Sequence, residues 1–306
     1  MCITPDTLFI CLVVAAVLAG AAAPLVRHRT GGRNARTART WRRGRHTVET
    51  VQGMFGPLRV LNLIWEDGQP VRVLASGRSF QSATYTAEDA WYVPVFEYYY
   101  LYDLMFELGR PVRNVLMLGG GGYSYPKWLL LNHPQVHIDV VEIDPAVTDL
   151  ARRYFYLDRL EGLFGEKGTQ EPGSLRLVQD DGRSYLDQAN TRYDAILNDT
   201  FAGAEPPAEL ASVQAARRAH DLLAPGGAYL SNVIGSLDGR DAHYLRSVVR
   251  TLEQAFSHVY VVPCMRESSS RPGNNIVVAT DSDVEFPVGR SLNTGGEDPI
   301  LLDPKD

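Results

Sequence analysis

The sequence predicts an α/β protein with a mainly parallel sheet, preceded by a small β domain and an N-terminal transmembrane helix. From Val112 onward, strand-like apolar runs alternate with helical stretches, a pattern typical of parallel sheets with helices on both faces. Before this region, two β-rich runs surround an Asp-Gly turn, and a long apolar stretch lies near the start of the chain.

The apolar stretch from Leu8 to Val26 is long enough to cross a bilayer as a helix. A cleaved signal peptide is the alternative, because Ala21-Ala22-Ala23 resembles a cleavage site, but no positive charge precedes the apolar run. We expect residues 1–26 to form a single membrane anchor. Because positive charge follows the span, the catalytic body should face the cytoplasm.

Eight arginines lie between Arg27 and Arg45, and only Asp6 is acidic before position 46. With the Gly, Thr and Ala among them, they predict a disordered linker, residues 27–46, that can lie against anionic lipid. Of the 30 basic and 36 acidic residues, 22 and 35 remain downstream, a net charge of −13. That charge disfavours nucleic acid and suits cationic substrates, although it also serves solubility.

Metal binding is not expected from this sequence. Cys2, Cys11 and Cys264 are too few and too scattered for a disulfide framework or a zinc site. His133 and His137 flank Pro134 as surface-loop residues would, with no second cluster nearby.

The small β domain is predicted over residues 47–85. Strands Leu58–Trp65 and Val71–Ala75 surround the turn at Asp67-Gly68, which predicts a hairpin. Thr86 to Leu108 follows with helical spacing and many aromatic residues. Its tyrosines, Tyr98, Tyr99, Tyr100 and Tyr102, are interpreted as core and interface residues.

The α/β domain is predicted over residues 86–280, with helices at Pro145–Tyr156 and Ala208–Leu223 and a turn at Pro225-Gly226-Gly227. Residues 281–306 read as a flexible acidic tail. The expected strands are Asn114–Leu118, His137–Glu142, Leu175–Gln179, Ala195–Asn198, Ala228–Val233, His258–Val262 and Asn275–Thr280.

Four glycines, Gly119, Gly120, Gly121 and Gly122, follow the first of these strands, and Glu142 ends the second, 23 positions after Gly119. Glycines let a backbone approach a ligand closely, and an acid at this spacing can accept both hydroxyls of a ribose. The dinucleotide pattern G-x-G-x-x-G fails because its sixth position is Ser124. The pattern therefore favours an S-adenosyl ligand on a Rossmann-like, class I methyltransferase-type sheet.

Acidic residues also follow three of the predicted strands: Glu142 or Asp144, then Asp181, then Asp199. Binding groups in open α/β sheets converge at the carboxyl ends of the strands. Each acid alone also suits a solvated or capping role, but three in register predict a common site.

The order of motifs over about residues 47–280 resembles the spermidine synthase (polyamine aminopropyltransferase) family. The family has a Gln and a D-E-x-x-Y signature where this chain has Gln81 and the segment from Glu88 to Tyr92. The other matching segments are the glycine loop, Val141-Glu142-Ile143-Asp144, Asp181-Gly182, Tyr193-Asp194-Ala195-Ile196-Leu197-Asn198-Asp199 and Pro207-Ala208-Glu209.

The resemblance implies a role for each matching residue. Glu142 would hold the ribose and Asp181 the adenine amino group, while Gln81 and Tyr92 would line the pocket. Asp199 would be the catalytic acid/base, with Tyr92 beside it. The implied activity is aminopropyl transfer from decarboxylated S-adenosylmethionine to a small amine, in polyamine biosynthesis. The hairpin domain and tyrosine-rich helix also resemble the surfaces through which the family forms homodimers.

Two positions depart from the family pattern. Gly122 stands where the family has the Asp that meets the aminopropyl amine, and Ala202 replaces the second acid of its D-x-x-D. A glycine at 122 no longer repels the carboxylate of S-adenosylmethionine itself. Methyl transfer from S-adenosylmethionine to an unknown acceptor is therefore an alternative, and a non-catalytic nucleoside-binding protein is a third.

Overall fold

The computed structural model describes residues 45–166, 168, 172–201, 207–264, 272–284, 286 and 298–304. All of these belong to one compact unit, Trp41–Asp306. The predicted anchor, nearly all of the predicted linker and much of the predicted tail lie outside the described residues.

The predicted transmembrane helix and membrane location require correction. Across the described ranges, no helix is both long and apolar enough to cross a membrane. The longest helix there has 11 residues, whereas a bilayer span needs about 20. The fold class is accordingly a Rossmann-like α/β sheet with a small β domain. The single-pass membrane localisation, with the cytoplasmic orientation that depended on it, is withdrawn.

The first sheet is antiparallel and contains four strands in the order β1-β2-β3-β4, where the sequence predicted one hairpin. Gly68 adopts the left-handed backbone conformation that its turn requires, with φ of 85°. The Trp65 N–H donates to the Gln69 carbonyl at 2.8 Å across this turn. The strands are β1 His46–Gly53, β2 Gly56–Ile64, β3 Pro70–Ser76 and β4 Ser79–Tyr85.

The second sheet contains seven strands in the order β10-β11-β9-β8-β5-β6-β7. Strands β5 to β9 pair in parallel, and β10 and β11 add an antiparallel edge. Strand β5, the middle one of the five parallel strands, is apolar because both of its faces are covered. The strands are β5 Asn114–Leu118, β6 His137–Glu142, β7 Ser174–Gln179, β8 Tyr193–Asn198, β9 Leu223–Gly235, β10 His258–Pro263 and β11 Gly273–Thr280.

The helices differ from the prediction where the backbone breaks. The predicted helix Pro145–Tyr156 ends two residues earlier, at Tyr154, and Tyr156 itself is left-handed with φ of 62°. The predicted helix from Ala208 divides at Ser212, which caps the next helix. The predicted turn at Pro225 interrupts the pairing of β9 with β8. The α-helices are α1 Ser124–Asn132, α2 Pro145–Tyr154, α3 Leu157–Phe164, α4 Gly182–Gln188, α5 Ala208–Ala211, α6 Val213–Leu222 and α7 His243–Leu252; the 3₁₀ helices are η1 Glu97–Glu107 and η2 Arg240–Ala242.

The aromatic segment before β5 forms η1 only from Glu97, eleven residues later than the start predicted at Thr86. Pro94 explains part of this delay, because proline lacks an N–H and disfavours helical backbone at the preceding residue. The short helix directs Tyr98 and Tyr102 toward the carboxyl edge of the large sheet, where Tyr102 donates to the Asn198 carbonyl at 3.3 Å.

Lys127 connects the small sheet to the helical layer. Its side chain is buried, and Nζ donates to Thr84 Oγ1 at 3.1 Å and to the Phe155 carbonyl at 2.9 Å. Burial lowers the pKa of Lys127 to about 7, because a low-dielectric surrounding disfavours the charged ammonium.

We expect Lys127 to make stability depend on pH. Between its lowered pKa and the ordinary lysine value, the unfolded chain binds more protons than the folded chain, so the free energy of unfolding rises with pH. The contribution is at most about 1.4 kcal/mol per pH unit. Urea unfolding of wild type and Lys127→Met between pH 7 and 9 measures it. Equal slopes for the two proteins would contradict the prediction.

Candidate active site

The glycine loop begins where β5 ends and passes against the chain that follows β8. Gly119 has φ of 89°, and a Cβ atom there would lie 2.6 Å from the backbone oxygen of Asp199. The Asp199 N–H in turn donates to the Leu118 carbonyl at 2.9 Å. Only glycine allows this approach, which brings Asp199 beside the loop.

Glu142 lies on the other side of the loop, at the end of β6. Its Oε2 accepts from the Gly120 N–H at 2.9 Å and the Gly121 N–H at 3.1 Å, and its Oε1 accepts from the Asp144 N–H at 2.9 Å. Burial raises the pKa of Glu142, against the lowering effect of these three donors. Oε1, which accepts only one of these three hydrogen bonds, retains acceptor capacity, so this carboxylate is able to bind a hydroxyl group as well.

Asp144, the alternative to Glu142 in the sequence, has a structural role. Its Oδ1 accepts from the Ala146 N–H at 2.9 Å and thereby caps α2. Its Oδ2 accepts from the Met54 N–H at 2.8 Å, which ties the β1–β2 turn to the large sheet.

Asp199 is half-buried at the end of β8, and neutral groups donate to its carboxylate. Tyr98 donates its hydroxyl to Oδ2 at 3.0 Å, and Asn232 donates Nδ2 to Oδ1 at 3.0 Å. Burial raises the pKa of Asp199 to about 6, although these hydrogen bonds oppose the shift. Asp199 is thus able to exchange a proton near neutral pH.

The sequence did not predict Tyr98 or Asn232 at this site. Tyr98 packs against Tyr99, with ring centroids 4.3 Å apart, and burial raises the pKa of Tyr98 so that it stays a neutral donor. The available signal was Asn232, a polar residue inside the apolar strand β9.

Of the two expected pocket residues, Gln81 lies near the glycine loop and Tyr92 packs among aromatic side chains. The Gln81 backbone oxygen would lie 3.9 Å from a Cβ atom at Gly121. Tyr92 packs edge-on against Trp91 and stacks on Trp128, with centroids 6.5 Å apart in the stacked pair. It is Tyr98, in the same aromatic segment, whose hydroxyl bonds Asp199. The ligand roles of Gln81 and Tyr92 stay predictions.

Asp181 lies at the end of the segment that follows β7 and caps α4. Its Oδ1 accepts from the Ser184 N–H at 2.9 Å. The cap fixes the side chain at the carboxyl edge of the sheet, and its proposed contact with adenine stays a prediction.

Gly122 faces the small sheet at very short range. A Cβ atom there would lie 2.6 Å from Ser82 Oγ and 3.0 Å from Phe155 Cδ1. The buried Ser82 hydroxyl is itself held 3.0 Å from Ser124 Oγ. The departure from the family's aspartate therefore has a physical reason, because no side chain fits at 122 without a shift of Ser82. Ala202, the other departure, lies outside the described residues.

Metal ligation finds no support in the part of the chain that the structure describes, where no group of three His, Cys, Asp or Glu side chains is placed to hold an ion. The expectation that the protein uses no metal stays a prediction.

The fold and this site together define a class. The glycine loop, Glu142 and Asp199 follow neighbouring strands at the carboxyl edge of a mainly parallel sheet, where nucleoside-binding α/β enzymes place their ligands. The family model described as the spermine/spermidine synthase domain matches residues 102–285. The chain belongs to this family, whose members are transferases, and the resemblance predicted from sequence is confirmed.

Individual proteins agree with this assignment. The polyamine aminopropyltransferase of Vibrio vulnificus is 32% identical over 168 residues, which cover 53% of this chain and 49% of that protein. An eEF1A lysine and N-terminal methyltransferase of Danio rerio is 28% identical over 155 residues, 49% of this chain and 21% of that protein. The chain thus spans half or less of these relatives.

A solved structure shows the same fold. The probable spermidine synthase of Corynebacterium glutamicum superimposes with a TM-score of 0.61 at 21% identity. The superposition covers 78% of this chain and 81% of that one, and it supports the Rossmann-like architecture predicted from the sequence.

We expect Gly119→Ala to damage both stability and ligand binding, because the new methyl group would meet the Asp199 carbonyl. Gly109→Ala is the matched control, since Gly109 has φ of 68° with no atom within 4 Å of a Cβ. Backbone strain alone should cost the control about 1 kcal/mol, and Gly119→Ala should cost more and weaken methylthioadenosine binding over tenfold. Thermal unfolding and calorimetric titration measure these effects. Equal losses in both variants would contradict the steric argument.

Proposed function

We propose that this protein transfers an aminopropyl group from decarboxylated S-adenosylmethionine to a small aliphatic amine. The observation that carries the proposal is the carboxylate of Asp199, which is held by neutral donors beside the glycine loop. A carboxylate with a raised pKa and no salt bridge among the described residues suits a cationic substrate whose proton must be removed. The family membership and the Vibrio vulnificus relative support this reaction.

The donor would lie along the loop from Gly119 to Gly122. Glu142 would accept from the ribose hydroxyls, and Asp181 from the adenine amino group. Gln81 and Tyr92 would line the same pocket. When bound, the donor supplies a carbon atom bonded to a positively charged sulfur.

Asp199 would serve as the base for the attacking amine. A free amine of this kind is protonated at neutral pH, because its pKa is near 10. Transfer of one proton to Asp199 leaves a nitrogen lone pair, which forms the new N–C bond while the C–S electron pair passes to sulfur. Methylthioadenosine is then the neutral thioether product, and Asp199 returns its proton to solvent.

Methyl transfer from S-adenosylmethionine is the second candidate. It is favoured by Gly122, which carries no carboxylate to repel the donor's own carboxylate, and by the similarity to the methyltransferase of Danio rerio. A non-catalytic nucleoside-binding protein remains a third hypothesis.

One experiment separates these functions. The full chain is titrated with S-adenosylmethionine, its decarboxylated form and methylthioadenosine, then incubated with diamines, and the products are identified by mass spectrometry. We expect binding of the decarboxylated donor and an aminopropylated amine. A methylated product would favour the second candidate, binding without turnover the third, and no binding would refute all of them.

We predict that Asp199→Asn lowers kcat about a hundredfold to ten-thousandfold without loss of methylthioadenosine binding. Tyr98→Phe removes a hydrogen bond to the ionised carboxylate, so the pKa of Asp199 should rise further above its ordinary value. The acidic limb of the pH–rate profile should then move to higher pH. An unchanged limb in Tyr98→Phe, or full activity in Asp199→Asn, would contradict the assignment of Asp199 as base.

A further inference from the structure

Asn232 presents an unused hydrogen-bond acceptor next to Asp199. It lies in β9 opposite Ile276 of β11, and only 1% of it is exposed. Its Nδ2 donates to Asp199 Oδ1, yet its Oδ1 is buried with no hydrogen-bond partner among the described residues. Buried polar atoms are nearly always paired in folded proteins, so this oxygen requires an explanation.

The orientation of the amide follows from its neighbour. An ionised carboxylate only accepts hydrogen bonds, so the NH₂ group of Asn232 must face Asp199. A flipped amide would place two acceptors together and lose the 3.0 Å hydrogen bond. The unpaired oxygen therefore belongs to the same planar group that contacts the proposed base.

We propose that Asn232 positions the attacking amine, its Oδ1 accepting one N–H of the nitrogen while another N–H faces Asp199. This inference rests on the proposed function, because it requires a nitrogen nucleophile. The ligand class is a primary aliphatic amine, which as an ammonium has three donors and no acceptor. With two of its N–H groups hydrogen-bonded to the protein, the amine nitrogen has a fixed orientation, and so does the lone pair that remains after proton transfer.

A neutral amide has an advantage over a second carboxylate as the group that holds the amine, because it carries no charge. The family's second carboxylate after β8 is absent at Ala202, and a second anion would stabilise the ammonium and raise the pKa of Asp199 still further. A neutral amide oxygen holds the nitrogen without adding negative charge. The ammonium therefore loses its proton more readily than it would between two carboxylates.

Two substitutions, compared with each other, distinguish the roles of the amide oxygen and the amide nitrogen. Asn232→Leu removes both donor and acceptor, so the KM for the amine should rise roughly tenfold to a hundredfold, and the acidic limb of the pH–rate profile should move to higher pH. Asn232→Asp keeps an acceptor oxygen and adds a like charge. It should retain the wild-type KM at high pH, with the limb moved up more than in Asn232→Leu.

Asn275→Leu is the matched control. Asn275 is equally buried in the adjacent strand, but its Nδ2 donates to the backbone carbonyls of Val233, Gly235 and Gly273. Its loss should lower the melting temperature and leave the amine KM and pH profile unchanged. Titration calorimetry measures the affinity of every variant for decarboxylated S-adenosylmethionine. This affinity should stay within about twofold of the wild-type value.

The outcomes are distinguishable. Suppose that wild type binds decarboxylated S-adenosylmethionine, but that Asn232→Leu changes neither the KM for the amine nor the acidic limb of the pH–rate profile. That result would overturn the role of Asn232 and leave the proposed function standing. If Asn232→Leu does not fold, an unmoved limb in Asn232→Asp overturns that role as well. Absence of donor binding in wild type would instead overturn the proposed function on which the inference rests.

Discussion

The close approach of Gly119 to the backbone of Asp199 is the contact on which the rest of the site depends. It joins the end of β5 to the end of its neighbour β8. On the opposite side, the N–H groups of Gly120 and Gly121 point at Glu142, at the end of β6. One loop thus sets the distance between a carboxylate suited to a ribose and a carboxylate suited to proton transfer.

The second constraint is that, among the described residues, no cation forms an ion pair with Asp199. A half-buried carboxylate loses hydration, and here the loss is offset by Tyr98 and Asn232, which are neutral donors. Neutral donors keep the ionised form accessible, whereas a nearby arginine would lower the pKa of Asp199 and remove its basicity. In the proposed reaction, the missing positive charge arrives with the amine.

Much of this architecture is readable from the sequence because it depends on local patterns. Strands Asn114–Leu118 and His137–Glu142 have the predicted bounds, since each is a short apolar run that ends at a polar or glycine residue. The glycines and the acids that follow these strands were identified in the same way. Such features reflect backbone conformation and strand-end position, which neighbouring residues determine.

Features that depend on contacts between distant segments were not readable. Tyr98 belongs to a run of tyrosines in which every face is aromatic, so no periodicity marks the one that reaches Asp199. Asn232 acquires its role only because β9 pairs with β8 and places the amide beside that carboxylate. The predicted helix Ala208–Leu223 was wrong in its continuity, because Ser212 interrupts it and caps the helix that follows.

Gly122 shows why a single departure from a family pattern needs its spatial context. In the sequence it reads as the loss of an anion from the donor site. In the structure it is also a packing position, since Ser82 and Phe155 occupy the space that a side chain would need. Both residues lie in the tightly hydrogen-bonded contact between the small sheet and α1, where Ser82 pairs with Ser124 and the Phe155 carbonyl pairs with Lys127. The change at 122 is therefore coupled to the junction between the two sheets, and restoring an aspartate there requires that junction to repack first.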